Sequence, residues 1–151
     1  MLFLRNECQR VAVVGLGGTS KTQVALELAY WVKANLPRYS VFWVLALSVA
    51  TFEHAFAEIA KVVPAQQRSK EEDIKALVRR YLSSEAAGPW FLVVDNVDDI
   101  ELLFESPSTL SGIYEYLPYS EAGRTLFTTR SREVAVLVAE SDVVELEKMT
   151  L

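Results

Sequence analysis

Apolar residues along this chain fall into two alternating patterns, short continuous runs and stripes at helical spacing. The runs are "RVAVV" (10–14), "VFWVLA" (41–46), "WFLVV" (90–94), "TLFTT" (125–129) and "VVEL" (143–146). The first, rich in valine and bounded by glycine, suits a strand buried on both faces; the second reads as another buried strand and the rest as strands three to five. Between the first two lies 21–35, apolar on most sides, which predicts a well-buried helix ended by Pro37. Phe52, Ala55, Phe56, Ile59, Ala60 and Val63 form one stripe of a second helix, stopped by Pro64. A third helix is expected to start at Ser69, with Glu72 completing a capping box, and to carry Ile74, Leu77, Val78, Tyr81 and Leu82. A polar loop with Pro107, Gly112, Pro118 and Gly123 precedes the fourth run, and 132–139 make a short helix. Five strands separated by helices predict an α/β fold, a parallel sheet with helices on both faces.

Composition narrows the class without changing the architecture. At 151 residues the length suits one domain. The apolar fraction is 51 %, enough for a packed core. No run reaches the roughly 18 apolar residues of a membrane span, and "MLFLRNECQR" makes a poor signal peptide. The net charge is −5 with Lys and Arg scattered, which argues against a nucleic-acid surface. The single cysteine, Cys8, fits a reducing compartment, so a cytoplasmic setting is expected. His54 lies opposite its helix's apolar stripe and is expected in solvent, whereas Trp31, Trp43 and Trp90 are expected to pack in core elements.

Three stretches carry candidate chemistry. In "VAVVGLGGTSKTQVALELAYW" (11–31) a buried strand runs through a glycine-rich loop into a helix, the setting of a phosphate loop. Gly15, Gly17 and Gly18 would let the backbone turn close to phosphates, with N–H groups and the positive helix end around the anion. Lys21 would reach the outer phosphates, and the Thr22 hydroxyl is a hard ligand for Mg²⁺. In "WFLVVDNVDD" (90–99) Asp95 stands at the C-terminal edge of a buried strand, where ligands of parallel sheets bind, and could hold Mg²⁺ opposite Thr22. Asn96 follows where hydrolysing relatives of this architecture often carry a glutamate, and an amide cannot take a proton. Asp98 and Asp99 could substitute for that glutamate, though the first turn of the next helix is the expected place for both. In "TLFTTR" (125–130) Arg130 could read a γ-phosphate. Residue by residue, the plainer readings stay open: a flexible turn, a strand-ending aspartate, a surface arginine.

Taken together, "VAVVGLGGTSKTQVALELAYWV", "FLVVDNVDD" and "TLFTTRSREVAV" resemble the NB-ARC nucleotide-binding domains of STAND-type NTPases. The likeness is greatest to fungal NOD-like receptors, whose usual loop reads GLGG-x-GKTQ-A-E-AY. It implies a P-loop NTPase three-layer sandwich with sheet order 5-1-4-3-2. On this reading 1–9 is a lead-in, 10–148 the nucleotide-binding domain, and 149–151 the start of a missing C-terminal part. Gly15, Gly17, Gly18, Thr19, Ser20, Lys21 and Thr22 become the Walker A loop, Asp95 the Walker B acid, and Arg130 the sensor after the fourth strand. Thr22 and Asp95 would share Mg²⁺, with ATP or ADP as the nucleotide. Exchange would switch the full-length protein between a closed monomer and a self-associated platform for innate-immune signalling. The helical and winged-helix subdomains of a longer chain would be partners, and neither nucleic acid nor membrane is expected. One departure stands out: Ser20 replaces the loop's usual glycine, and at positive φ its Cβ would add roughly 1 kcal/mol of strain. Two functions lead, ahead of a phosphotransferase of the same fold, which no second lysine/arginine lid or acceptor-site motif supports. One is a switch module with slow or no hydrolysis, at most a weak ATPase. The alternative is a nucleotide-dead interaction scaffold.

Overall fold

The structure, a computed structural model, describes residues 9–15, 18–69, 71–104, 112–140 and 142–145. Five parallel strands form one sheet in the order β2-β3-β4-β1-β5: β1 Gln9–Val14, β2 Ser40–Leu45, β3 Trp90–Asp95, β4 Gly123–Thr129 and β5 Val143–Glu145. This is the expected α/β class and the expected strand order. The runs of β1, β3 and β4 become the central strands, whereas β2 and β5 form the edges and are only partly buried. Every residue of β3 and of β4 is buried.

The helices are α1 Gly18–Asn35, α2 Val49–Ala60, α3 Ile74–Leu82, α4 Ile100–Phe104 and α5 Arg132–Ala139. They divide unevenly between the two faces. Side-chain alternation along β3 sends Phe91 and Val93 to one side, where α1 alone supplies Ala25, Ala29 and Val32. Trp90, Leu92 and Val94 go to the other, larger core, built with α2, α3, α4 and α5. Among the described residues no helix is long and apolar enough to cross a membrane.

Three local expectations need correction. The helix over 21–35 was expected to be well buried, yet Tyr30 is 64 % and Trp31 47 % exposed. Small Ala25 and Ala29 let α1 lie close on the sheet, but nothing described covers its outer side. The cap of α3 is Asp73, whose carboxylate accepts from the N–H groups of Lys75 and Ala76. Ser69 does not fill that place: α3 begins only at Ile74, and Glu72 pairs with Arg80. Finally, Asp99 alone caps α4, accepting from the Glu101 and Leu102 N–H groups, while Asp98 is engaged elsewhere.

Candidate functional site

The C-terminal ends of β1, β3 and β4 lie side by side, and the start of α1 faces them. Parallel strands point all their last carbonyls and following turns to one edge, so residues distant in sequence meet there. The Gly15 N–H donates to the Thr129 carbonyl at 3.2 Å, which ties the start of the loop to β4. Ser20, Lys21 and Thr22 stand in the first turns of α1 with Gly18 and Thr19 before them, and Gly17 lies outside the described residues.

Ser20 differs from expectation in a way that matters. Its backbone is helical, and it is exposed. Positive φ among described non-glycine residues occurs only at Asn96 and Glu140. The strain argument against Ser20 therefore does not apply to this loop.

Lys21 is only 1 % exposed and donates from Nζ to the Gly15 carbonyl at 2.7 Å. Burial pushes its pKa below the ordinary lysine value; the nearby carboxylates of Asp98 and Asp95 pull it back up, and Arg130 pushes it down. The buried Lys21 ammonium is thus compensated by the nearby Asp98 and Asp95 carboxylates and a backbone carbonyl, as a buried cation must be.

Thr22 Oγ1 donates across the edge to both Asp95 oxygens, at 3.2 and 3.3 Å. Asp95, 3 % exposed, also accepts from the Thr128 hydroxyl and from Asn96 Nδ2 at 3.4 Å. Thr128 is fully buried and makes two more bonds to the turn after β3. Its Oγ1 accepts from the Asn96 N–H at 2.9 Å, and its carbonyl accepts from the Val97 N–H at 2.9 Å. Asn96 is thereby held at φ 66. Such a left-handed conformation costs a non-glycine residue energy, and such outliers concentrate at functional sites.

Asp98 joins β3's turn to the end of β4. It accepts from the Arg130 backbone N–H at 2.7 Å and from Thr129 Oγ1 at 3.2 Å, and faces Arg130 Nε at 3.3 Å. Arg130 lies one residue past β4 with its side chain 62 % exposed. Lys21, Thr22, Asp95 and Arg130 thus gather at one edge, as the sequence suggested. Thr128 and the Asp98–Arg130 pair were missed. His54 is exposed, and Cys8 lies outside the described residues.

The donor set fits a magnesium-nucleotide. One hydroxyl and one carboxylate in direct contact offer hard oxygens to a small dication. Among the described residues no group of three or more His, Cys, Asp or Glu side chains could hold a metal alone. Thr22 and Asp95 would hold Mg²⁺ there together with phosphate oxygens and water, its usual ligands at phosphate sites.

The NB-ARC domain family model matches residues 1–150. A nucleotide-binding leucine-rich repeat (NLR)-like protein of Hyaloscypha variabilis is 42 % identical over 151 residues, covering 95 % of this chain and 15 % of the relative. Disease resistance RPP13-like protein 4 of Arabidopsis thaliana is 29 % identical over 143 residues, covering 93 % of this chain and 16 % of that protein. The chain therefore spans about one sixth of the length of these relatives. The crystal structure of CDC6P from Pyrobaculum aerophilum superposes with a TM-score of 0.56 at 12 % identity, over 95 % of this chain and 40 % of that one, a likeness of fold.

Proposed function

This chain belongs to the NB-ARC family, and we propose that it is an ADP/ATP-binding switch module of a NOD-like receptor-type signalling protein, with slow or no hydrolysis. The observation that carries the reading is the contact of Thr22 Oγ1 with Asp95, beside buried Lys21. It joins the start of α1 to the end of β3, where a metal-bound phosphate chain needs both. Lys21 would bind the outer phosphates, Thr22 and Asp95 the Mg²⁺, and Arg130 a terminal phosphate. Bound Mg²⁺ would neutralise phosphate charge and fix the chain's orientation.

Slow turnover is supported by Asn96. Hydrolysis needs a group to take a proton from water, and the amide after Asp95 cannot do so. Its nitrogen is instead turned to Asp95. A role in defence signalling is supported by the likeness to the Arabidopsis disease resistance protein, and a cytoplasmic setting by the lone Cys8. The scaffold alternative loses its main support, because the helical Ser20 carries no left-handed strain.

Calorimetric titration with Mg²⁺-ADP and Mg²⁺-ATP tests the proposal. Micromolar binding is expected. Lys21→Ala should weaken it about 10- to 100-fold, the worth of hydrogen bonds to a charged group. Ser20→Gly should change it less than about twofold, since no strain is relieved. Binding that appears only in Ser20→Gly, or that ignores Lys21→Ala, would overturn the assignment.

A further inference from the structure

We propose that Asp98 is a specificity-determining residue: its carboxylate engages the guanidinium that a terminal phosphate would need, and so tilts the site toward nucleoside diphosphate over triphosphate. The inference rests on reading this sheet edge as a nucleotide site.

The turn after β3 delivers Asp98 to this position. Thr128 holds the N–H groups of Asn96 and Val97, so the chain runs along the end of β4 and brings Asp98 beside Thr129 and Arg130. One carboxylate oxygen then takes the Thr129 hydroxyl and the Arg130 N–H, while the other faces Arg130 Nε. The side chain is thus fixed by backbone and neighbour, not merely drawn to a passing cation. Asp98 is also the foremost charge acting in favour of the Lys21 ammonium, ahead of Asp95. A single carboxylate therefore attends both cations of the site, Arg130 by contact and Lys21 through space.

The two nucleotides meet this arrangement differently. A diphosphate needs the loop, Lys21 and the Thr22–Asp95 pair, whereas Asp98 bonds to Thr129 and Arg130. A triphosphate adds a group directed to Arg130. That group must either part Arg130 from Asp98 or lie close to a second anion, and both cost energy. Removing the carboxylate's charge removes the competition while leaving Arg130 in place.

The test is a pair of titrations, with Mg²⁺-ADP and with a non-hydrolysable ATP analogue, on wild type and Asp98→Asn. Asparagine keeps an oxygen for the Arg130 N–H. The ratio of triphosphate to diphosphate affinity should rise about fivefold, the worth of an ion pair this exposed. The rise should vanish when Arg130→Ala is added. Should Asp98→Asn fail to fold, Asp98→Ser, which keeps a short hydroxyl acceptor, is expected to give the same rise. An unchanged ratio overturns the proposal, and a falling ratio does so too by making Asp98 an aid to triphosphate binding. ADP binding with an unmoved ratio sinks this inference alone; no nucleotide binding by wild type sinks the nucleotide reading with it.

Discussion

β3 is bracketed by two residues at nearly the same positive φ, and they are different amino acids. Gly88, two residues before the strand, has φ 68; Asn96, directly after it, has φ 66. At the start the chain only has to turn, and glycine does so without a steric penalty. At the end the turn also carries a side chain toward Asp95, and the chain tolerates an asparagine. The flanking cations differ in the same sense. At the start Arg10 donates to the Tyr114 hydroxyl and Pro118 carbonyl, and Arg124 to the carbonyls of Glu121 and Gly123. These arginines fasten turns. At the end Lys21 and Arg130 are set among Asp95 and Asp98. One strand thus has a fastening end and a working end, and substitutions should separate them.

The largest effect is expected at the fastening end. Trp90 is fully buried, its Nε1 donating to the Leu82 carbonyl at 2.7 Å. A β-carbon on Gly123 would meet Trp90 Cζ2 at 2.1 Å. The indole cannot retreat without losing that bond and its packing, so Gly123→Ala should cost about 3 kcal/mol, at the upper end of overpacking. Thermal denaturation followed by circular dichroism should show a Tm about 6–12 °C lower. Nucleotide affinity below the transition should be unchanged. A normal Tm would mean the fastening end yields, and a shifted affinity would mean the two ends are coupled.

Thr128 is the intermediate case, structural in position and functional in consequence. Thr128→Val keeps the shape, removes the donor to Asp95 and leaves the Asn96 N–H unpaired. A stability loss of about 1–2 kcal/mol is expected for that orphaned pair. The sharper readout is the Mg²⁺ concentration needed for ADP binding, which should rise several-fold as the Asp95 carboxylate loses a partner. Thr128→Ser should restore both. Rescue of stability without rescue of the Mg²⁺ requirement would confine Thr128 to a fastening role.

The same division explains what the sequence made legible. Lys21, Thr22 and Asp95 could be found because each sits at a local boundary, loop to helix or strand to turn, that apolar patterning marks. Thr128 could not, because its importance comes from register. Val94 pairs with Phe127, so the next step along each strand sets Asp95 beside Thr128, and neither strand's own pattern records that alignment. The hint was two threonines closing a buried strand. Asp98 was misread because Asp-Asp before an apolar stretch fits a helix's first turn, whereas α4 starts at Ile100 and only Asp99 bonds to its N–H groups. The start of α3 failed similarly: Ser69 and Glu72 have capping-box spacing, but Arg80 claims the glutamate. Trp31 was expected inside because the burial of a helix depends on what covers its far side, which its own sequence does not carry.

The smallest effect should also have the opposite sign. Asn96→Gly gives up one long bond, Nδ2 to Asp95 at 3.4 Å, and relieves the left-handed conformation. Against this stands the greater freedom of glycine in the unfolded chain. Asparagine already tolerates this region better than most residues, so the net gain should be only about 0.5 kcal/mol. Gly88→Ala makes the reverse change at the other end. Nothing lies within 4 Å of the added β-carbon, so crowding is not the issue. The conformation itself should cost about 1–3 kcal/mol. Chemical denaturation of the two variants compares the ends directly: Asn96→Gly should raise the midpoint slightly and Gly88→Ala should lower it. A less stable Asn96→Gly would show that the amide's bond to Asp95 outweighs the strain, making asparagine the better residue even for folding. Strain retained at the working end for the sake of the site requires a gain in stability on its release.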